Sequence, residues 1–62
     1  MQVGDLVKWT AGTRMKDFIG IIEFIDEAKD GTRWIYVRWN DGHLDDYSCN
    51  DEVSMSYLKV IA

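Results

Sequence analysis

Aromatic side chains are the main candidates for chemistry in this chain of 62 residues, of which 13% are aromatic. Trp34, Tyr36 and Arg38 alternate along one short segment, and alternating residues share a face of a β-strand. Flat rings beside a guanidinium can stack a nucleic-acid base or bind a peptide. The alternative is that the rings stabilise a small sheet by cross-strand pairing, or are buried in a subunit contact. The segment therefore predicts a binding surface, a subunit contact or a structural cluster.

Other side chains are candidates to extend this surface. Three rings could join it: Trp9, Tyr47 and Tyr57. Two basic residues, Arg14 and Lys16, lie in the polar stretch Thr10–Asp17, which we interpret as a loop that sets specificity together with Arg38. The other interpretation is that these basic residues are solvated charges that balance nearby carboxylates.

Catalytic and metal-binding patterns are weak. His43 is the only histidine and Cys49 the only thiol, and a Cys/His pair would also need an oxyanion pocket. No phosphate-binding loop, dinucleotide motif or G-x-S-x-G pattern is present. An acidic stretch contains Asp41, His43, Asp45, Asp46, Asp51 and Glu52. This stretch lacks the calcium-loop spacing, so we expect it to be a solvated surface that binds no metal. Because no catalytic or cofactor motif is present, we also expect no cofactor and no enzymatic activity.

Composition limits the classes of partner. The chain has 7 basic and 11 acidic residues and a net charge of −4, which disfavours nucleic acid and anionic lipid. No run of about 18 apolar residues occurs, so no transmembrane helix is expected. A single cysteine cannot form an intrachain disulfide. We expect one domain over residues 1–62, cytoplasmic and not associated with a membrane.

The hydrophobic pattern predicts an all-β fold of five short strands. The predicted strands are Gln2–Trp9, Phe18–Glu27, Thr32–Trp39, His43–Ser48 and Val53–Ile61. Gly20 would permit a bulge in the second strand, and turns are expected at 28–31 and 40–42. A single helical turn is predicted over 48–52, with Ser48 as its N-cap.

Five short strands cannot make a deep two-sheet sandwich, but they can curl into a small barrel that hides its edges. Ile22 and Val37 are the expected central core residues on adjacent strands. Trp39 should close one end of the barrel, and Leu58 with Val60 or Ile61 should close the sheet from the last strand.

Four short motifs carry a resemblance to known proteins: VGDLV at 3–7, GII at 20–22, VRWNDG at 37–42 and YLKVI at 57–61. Together they resemble the SH3-like small-barrel families, nearest to Tudor and KOW modules, and short stand-alone versions recur in bacteriophages and bacteria. The resemblance implies an SH3-like barrel, located in a host cytoplasm or a virion if phage-encoded. In Tudor-like modules an aromatic cage holds methylated lysine or arginine by cation–π attraction. KOW modules that bind nucleic acid are commonly basic, whereas this chain is acidic.

These observations predict a non-enzymatic binding or assembly module that uses an aromatic patch centred on Trp34 and Tyr36. The expected partner is a protein, which includes a second copy of this chain as a homo-oligomer. The alternative function is binding of single-stranded nucleic acid by the same rings. In that case Arg14, Lys16, Arg33 and Arg38 would contact phosphates, and binding would depend steeply on salt.

Overall fold

The computed structural model describes residues 1–11 and 18–62, and the regular structure in this part of the chain is β-strand apart from one short helix. The elements in chain order are β1 (Leu6–Trp9), β2 (Ile19–Glu27), β3 (Arg33–Trp39), β4 (Leu44–Ser48), α1 (Glu52–Tyr57) and β5 (Leu58–Val60). The predicted all-β class and the five strands are therefore confirmed. Within the described residues, no helix has the length and apolar character needed to span a membrane.

The five strands form one antiparallel sheet in the order β4-β3-β2-β1-β5. The sheet is open, because β4 and β5 are its two edges and do not pair with each other in the described residues. The predicted barrel is therefore not confirmed by the pairing of the described strands. The short helix α1 lies against both edge strands and takes up residues that a longer last strand would need. Three residues are left for β5, and all three pair with β1.

The two tight turns occur where glycine and its neighbours predict them. Gly31 has a φ of +88° and its amide donates to the carbonyl of Ala28 at 2.9 Å. Gly42 has a φ of +89° and its amide donates to the carbonyl of Trp39 at 2.9 Å. Positive φ is readily accessible to glycine because it has no Cβ. These turns fix the register of the β2–β3 and β3–β4 hairpins.

The first strand is shorter than predicted. It begins at Leu6 rather than Gln2, because residues 2–5 form a turn. The Asp5 amide donates to the Gln2 carbonyl at 3.1 Å, and the Gln2 amide donates to the Asp5 carboxylate at 3.0 Å. These bonds use backbone groups that a longer strand would place in the sheet ladder.

The prediction for the end of the chain was wrong over residues 53–57, which are helical rather than extended. The N-cap is Asp51 and not Ser48, since the Asp51 carboxylate accepts from the amides of Val53 and Ser54. Ser48 instead accepts a bond from the Asn50 amide at 3.1 Å. An aspartate that satisfies two exposed amides favours a helix start at that point.

The core lies on the inner face of the sheet and consists of Val7, Ile22, Ile35, Val37, Trp39 and Leu58. The expected core positions of Ile22 and Val37 on adjacent strands are confirmed: the two residues pair across β2 and β3, and both side chains are fully buried. Trp39 and Leu58 are buried as predicted. Val60 and Ile61 are 41% and 45% exposed, so Leu58 alone contributes the buried side chain of the last strand.

Candidate binding surface on the outer face of the sheet

A β-bulge in β2 determines which rings face solvent. The sequence predicts a bulge or bend that Gly20 would permit, and the structure has a bulge between Ile22 and Phe24, where Glu23 is the extra residue. Ile22 pairs with Val37 in the core, and the next paired residue, Phe24, lies opposite Tyr36 on the outer face. One inserted residue moves the following side chains to the other side of a strand. Without this bulge, Phe24 would point into the core.

The rings Phe24, Tyr36 and Trp34 form a surface that we call the outer aromatic face. Phe24 and Tyr36 stack with ring centroids 4.2 Å apart and planes 18° from parallel. Phe24 remains 45% exposed, and Trp34 and Tyr36 are half-buried. Stacking of two rings adds an attraction to the free energy gained by burying their surface. The pair therefore forms an ordered apolar surface that is partly exposed to solvent.

An apolar row lies beside the outer aromatic face. Leu6 pairs with Ile21, Ile21 with Arg38 and Arg38 with Leu44, across four strands. The three aliphatic side chains are each 38–40% exposed. Partly exposed apolar groups in two adjacent rows therefore share the outer side of the sheet with Arg38.

Arg38 crosses this face but is not available to a ligand in this arrangement. Its Nε donates to the Glu23 carboxylate at 2.8 Å and its Nη2 donates to the other carboxylate oxygen at 3.3 Å. Its Nη1 donates to the Gly42 carbonyl at 3.0 Å. The hydrogen bond from Arg38 lowers the pKa of Glu23, and the same bond raises the pKa of Arg38. The bulged residue thus neutralises the arginine predicted to set specificity.

Carboxylates flank the rings. Asp46 lies opposite Tyr36 on β4, and Asp26 lies opposite Trp34 on β2. Both aspartates are exposed, and neither forms an ion pair within the described part of the chain. With Arg38 already paired, the outer aromatic face carries a negative rim.

The other three predicted rings lie elsewhere, in a group that we call the inner aromatic cluster. Its members are Trp9, Phe18, Trp39, Tyr47 and Tyr57. Trp9 lies 5.4 Å from both Tyr47 and Tyr57, and it meets Trp39 edge-on at 6.5 Å, measured between ring centroids. These rings pack on one another on the inner side of the sheet. Trp9, Tyr47 and Tyr57 therefore do not belong to the same surface as Trp34 and Tyr36.

One polar group inside the inner aromatic cluster has no hydrogen-bond partner among the described residues. The Trp39 indole N–H is buried and has no acceptor in hydrogen-bonding geometry among the described residues. Burial raises the pKa of the Tyr47 hydroxyl, an effect that the nearby Trp39 indole opposes. Leaving a buried donor unsatisfied costs about 1–3 kcal/mol, which ring packing must offset.

The remaining candidates are dispersed or lie outside the described residues. His43 precedes β4 and Cys49 follows its other end, so about 20 Å of extended chain separates them. Within residues 1–11 and 18–62, no three His, Cys, Asp or Glu side chains are grouped to hold a metal ion. Arg14 and Lys16 lie outside the described residues.

Phe24, Glu23 and Ile21 belong to the surface but were not identified from the sequence. The stretch FIGIIEFIDE has apolar residues at both parities, which signals a bulge but not its position. A bulge assigned to Glu23 would have turned Phe24 outward and placed Glu23 near Arg38.

Comparison of this chain with protein-family models, with curated proteins and with solved structures finds no match.

Proposed function

We propose that this chain is a non-enzymatic protein-binding module and that the outer aromatic face is its docking surface. The observation that carries the proposal is the bulge at Glu23, which turns Phe24 out of the core and stacks it on Tyr36 at 4.2 Å. A bulge costs ladder hydrogen bonds, and bulges commonly re-aim a side chain at a functional site. Here it exposes an apolar ring that the thin core could otherwise bury.

The chemistry of the rim indicates the class of partner. A protein segment with apolar side chains would cover Phe24 and Tyr36, and its lysines or arginines would meet Asp26 and Asp46. Opposite potentials across an interface favour encounter and exclude wrong partners. We therefore propose a partner that is apolar at its centre and basic at its margin.

A second copy of the chain fits this surface less well. Two outer aromatic faces packed against each other would bring Asp26 and Asp46 of both copies into one interface. Arg38 cannot compensate, since Glu23 already neutralises it. Like charges brought together at an interface cost free energy, so a different protein is the better partner.

Single-stranded nucleic acid remains the competing function, and the same charges oppose it. Phosphates near the rings would face Asp26 and Asp46 and would have to displace Glu23 from Arg38. Arg33 has the inner parity of β3, alternating with Trp34 and Tyr36, and lines a pocket with the buried Ile35. Of the four basic residues invoked for phosphate contacts, neither Arg33 nor Arg38 presents a free guanidinium beside the rings.

We also propose that the sheet is an SH3-like small barrel that is left open between β4 and β5. Three features support this architecture: the five-strand order, the pairing of β1 with both β2 and β5, and a short helix between the two edge strands. The pairing of β1 with β2 and β5 brings the first and last strands together. An experimental structure with β4 far from β5 on a flat sheet would contradict it.

The docking proposal is tested with two matched peptides and ¹⁵N-labelled protein. One peptide alternates leucine with lysine, and the other has glutamate in place of every lysine. We expect only the lysine peptide to shift the amide resonances of β2 and β3. Replacing Phe24 with alanine should weaken binding about tenfold, the effect of removing about 1.4 kcal/mol of apolar contact.

Val53→Ala is the matched control, because Val53 is 62% exposed on α1. It should bind the lysine peptide as the unaltered protein does. Equal binding of both peptides, or unchanged binding by Phe24→Ala, would contradict the proposal. Binding of oligothymidine with a steep salt dependence would instead favour the nucleic-acid function, and a concentration-dependent mass in sedimentation that Phe24→Ala abolishes would favour self-association.

A further inference from the structure

A second feature lies on the inner side of the sheet, at a distance from the outer aromatic face. It is a pocket of about 210 Å³, partly open to solvent. Its lining residues are Met1, Ile25, Arg33, Ile35, Cys49 and Met55. Ile25 and Ile35 are paired across β2 and β3, and they belong to the core or pack against it. The pocket is therefore an opening at the edge of the core.

Sulfur-containing residues are concentrated around this pocket. Met1, Cys49 and Met55 are the only sulfur-containing residues in the described part of the chain, and all three line it. They come from the start of the chain, the segment after β4, and α1. Cys49 and Met55 are six positions apart in the sequence, and the fold brings Met1 to the same opening.

We propose that this pocket binds a monovalent soft cation, Cu(I), through the sulfur atoms of Cys49, Met55 and Met1. Thiolate and thioether ligands select Cu(I) over harder ions. Carboxylate and imidazole groups, which hard or borderline cations prefer, do not line the pocket. The ligand set therefore distinguishes Cu(I) from Ca²⁺ and Mg²⁺ on chemical grounds.

The charge of Arg33 at the pocket favours a monovalent ion over a divalent one. Binding replaces the proton of the Cys49 thiol, because the thiolate is the form that ligates a metal. Cu⁺ enters and H⁺ leaves, so the net charge beside Arg33 is unchanged. A divalent ion would add one positive charge next to the guanidinium.

The three ligands can adjust to an ion. Cys49 is exposed, and its amide donates to the Arg33 carbonyl at 2.9 Å, which ties its backbone to β3. Met1 is 45% exposed and Met55 is half-buried. Methionine has three rotatable bonds and a polarisable sulfur, so both thioethers can close on an ion held by the thiolate.

The test is an anaerobic titration of the full chain with Cu(I), in competition with a chromophoric Cu(I) chelator and with ascorbate as the reductant. Methyl NMR of ¹³C-labelled methionine gives the second readout. We expect one equivalent of Cu(I) to bind and to shift the ε-methyl signals of Met1 and Met55.

Conservative variants assign the ligands. Cys49→Ser should lower the affinity at least a hundredfold, and Met55→Leu, which keeps the side-chain volume, at least tenfold. Val53→Ala is the control, because Val53 is 62% exposed and does not line the pocket, and it should leave the affinity unchanged. Absence of binding would overturn the proposal. Loss of binding in Cys49→Ser with no effect of Met55→Leu and no shift of the two methyl signals would also overturn it, since an exposed thiol alone would then explain the result.

Discussion

Gly20 of β2 occupies a position where the structure leaves no room for a methyl group. A Cβ at this position would lie 2.6 Å from Val37 Cγ1, 2.8 Å from Trp39 Cε3 and 2.9 Å from the Arg38 carbonyl oxygen. Val37 and Trp39 are almost completely buried, and the carbonyl belongs to the ladder of a central strand. None of the three can move away without disturbing the core. We therefore expect Gly20→Ala to destabilise the protein.

Two opposing terms set the magnitude. Overpacking a well-filled core by a methylene costs about 1–3 kcal/mol. Alanine also restricts the unfolded chain, which stabilises the folded state by about 0.4–1 kcal/mol. The balance is a loss of about 1–2 kcal/mol in the free energy of unfolding. For a domain of this size, that corresponds to a fall in Tm of about 5–15 °C.

Urea unfolding followed by circular dichroism measures this loss, with sucrose added to every sample to keep the variants folded. Val37→Ala removes the Cγ1 atom nearest to the new methyl, so Gly20→Ala should cost about 1 kcal/mol less in that background. Gly31→Ala is the control: nothing lies within 4 Å of its Cβ position and its φ is +88°, so its backbone cost should be equal in both backgrounds. The packing argument would be refuted if Gly20→Ala left the free energy of unfolding unchanged. It would also be refuted if the loss caused by Gly20→Ala were the same with and without Val37→Ala.

Two further variants test electrostatic features of the fold. The amide of Ser54 lowers the pKa of Asp51, so this carboxylate stabilises the fold at pH values above its usual 3.8 and loses that contribution as the pH falls below it. Asp51→Asn keeps a capping side chain but removes its charge. The free energy of unfolding of this variant, measured by urea titration, should fall less between pH 5 and pH 2 than that of the parent. An identical pH profile for the two proteins would contradict this prediction. Lys8 and Lys59 lie directly opposite each other on β1 and β5. Lys59→Glu should raise the free energy of unfolding by about 0.5 kcal/mol at low salt and by less at high salt. Lys59→Gln, which removes the repulsion without adding an attraction, should raise it by less.

Local rules were sufficient for most of the sheet. Alternation along β3 placed Ile35, Val37 and Trp39 on the inner face, and it placed Trp34 and Tyr36 outside. The turn residues gave both hairpins, because glycine at positive φ leaves few alternatives. A strand with one buried face and a tight turn at its end has only one register that buries its apolar side chains.

Two features depended on contacts that no local pattern contains. Residues 53–57 have side chains compatible with a strand, and the helix is decided by the Asp51 carboxylate capping two amides. The bulge in β2 brings Glu23 to Arg38, a residue 15 positions away in the sequence. An error of one residue in a bulge reverses the side on which every following side chain lies, so Phe24 could not be assigned to the outer face in advance.

The division of the eight aromatic residues supports separate roles for the two faces of the sheet. Five of them form the inner aromatic cluster, where Trp39 is 2% exposed and the rings contact one another. A thin core gains from such packing, since small domains bury little apolar surface by other means. Phe24 contributes less to that purpose, because 45% of its surface stays in water after it stacks on Tyr36. The bulge turns Phe24 away from the core, and the carboxylates beside it form no ion pair among the described residues. The largest further burial of its apolar surface would therefore come from contact with a partner.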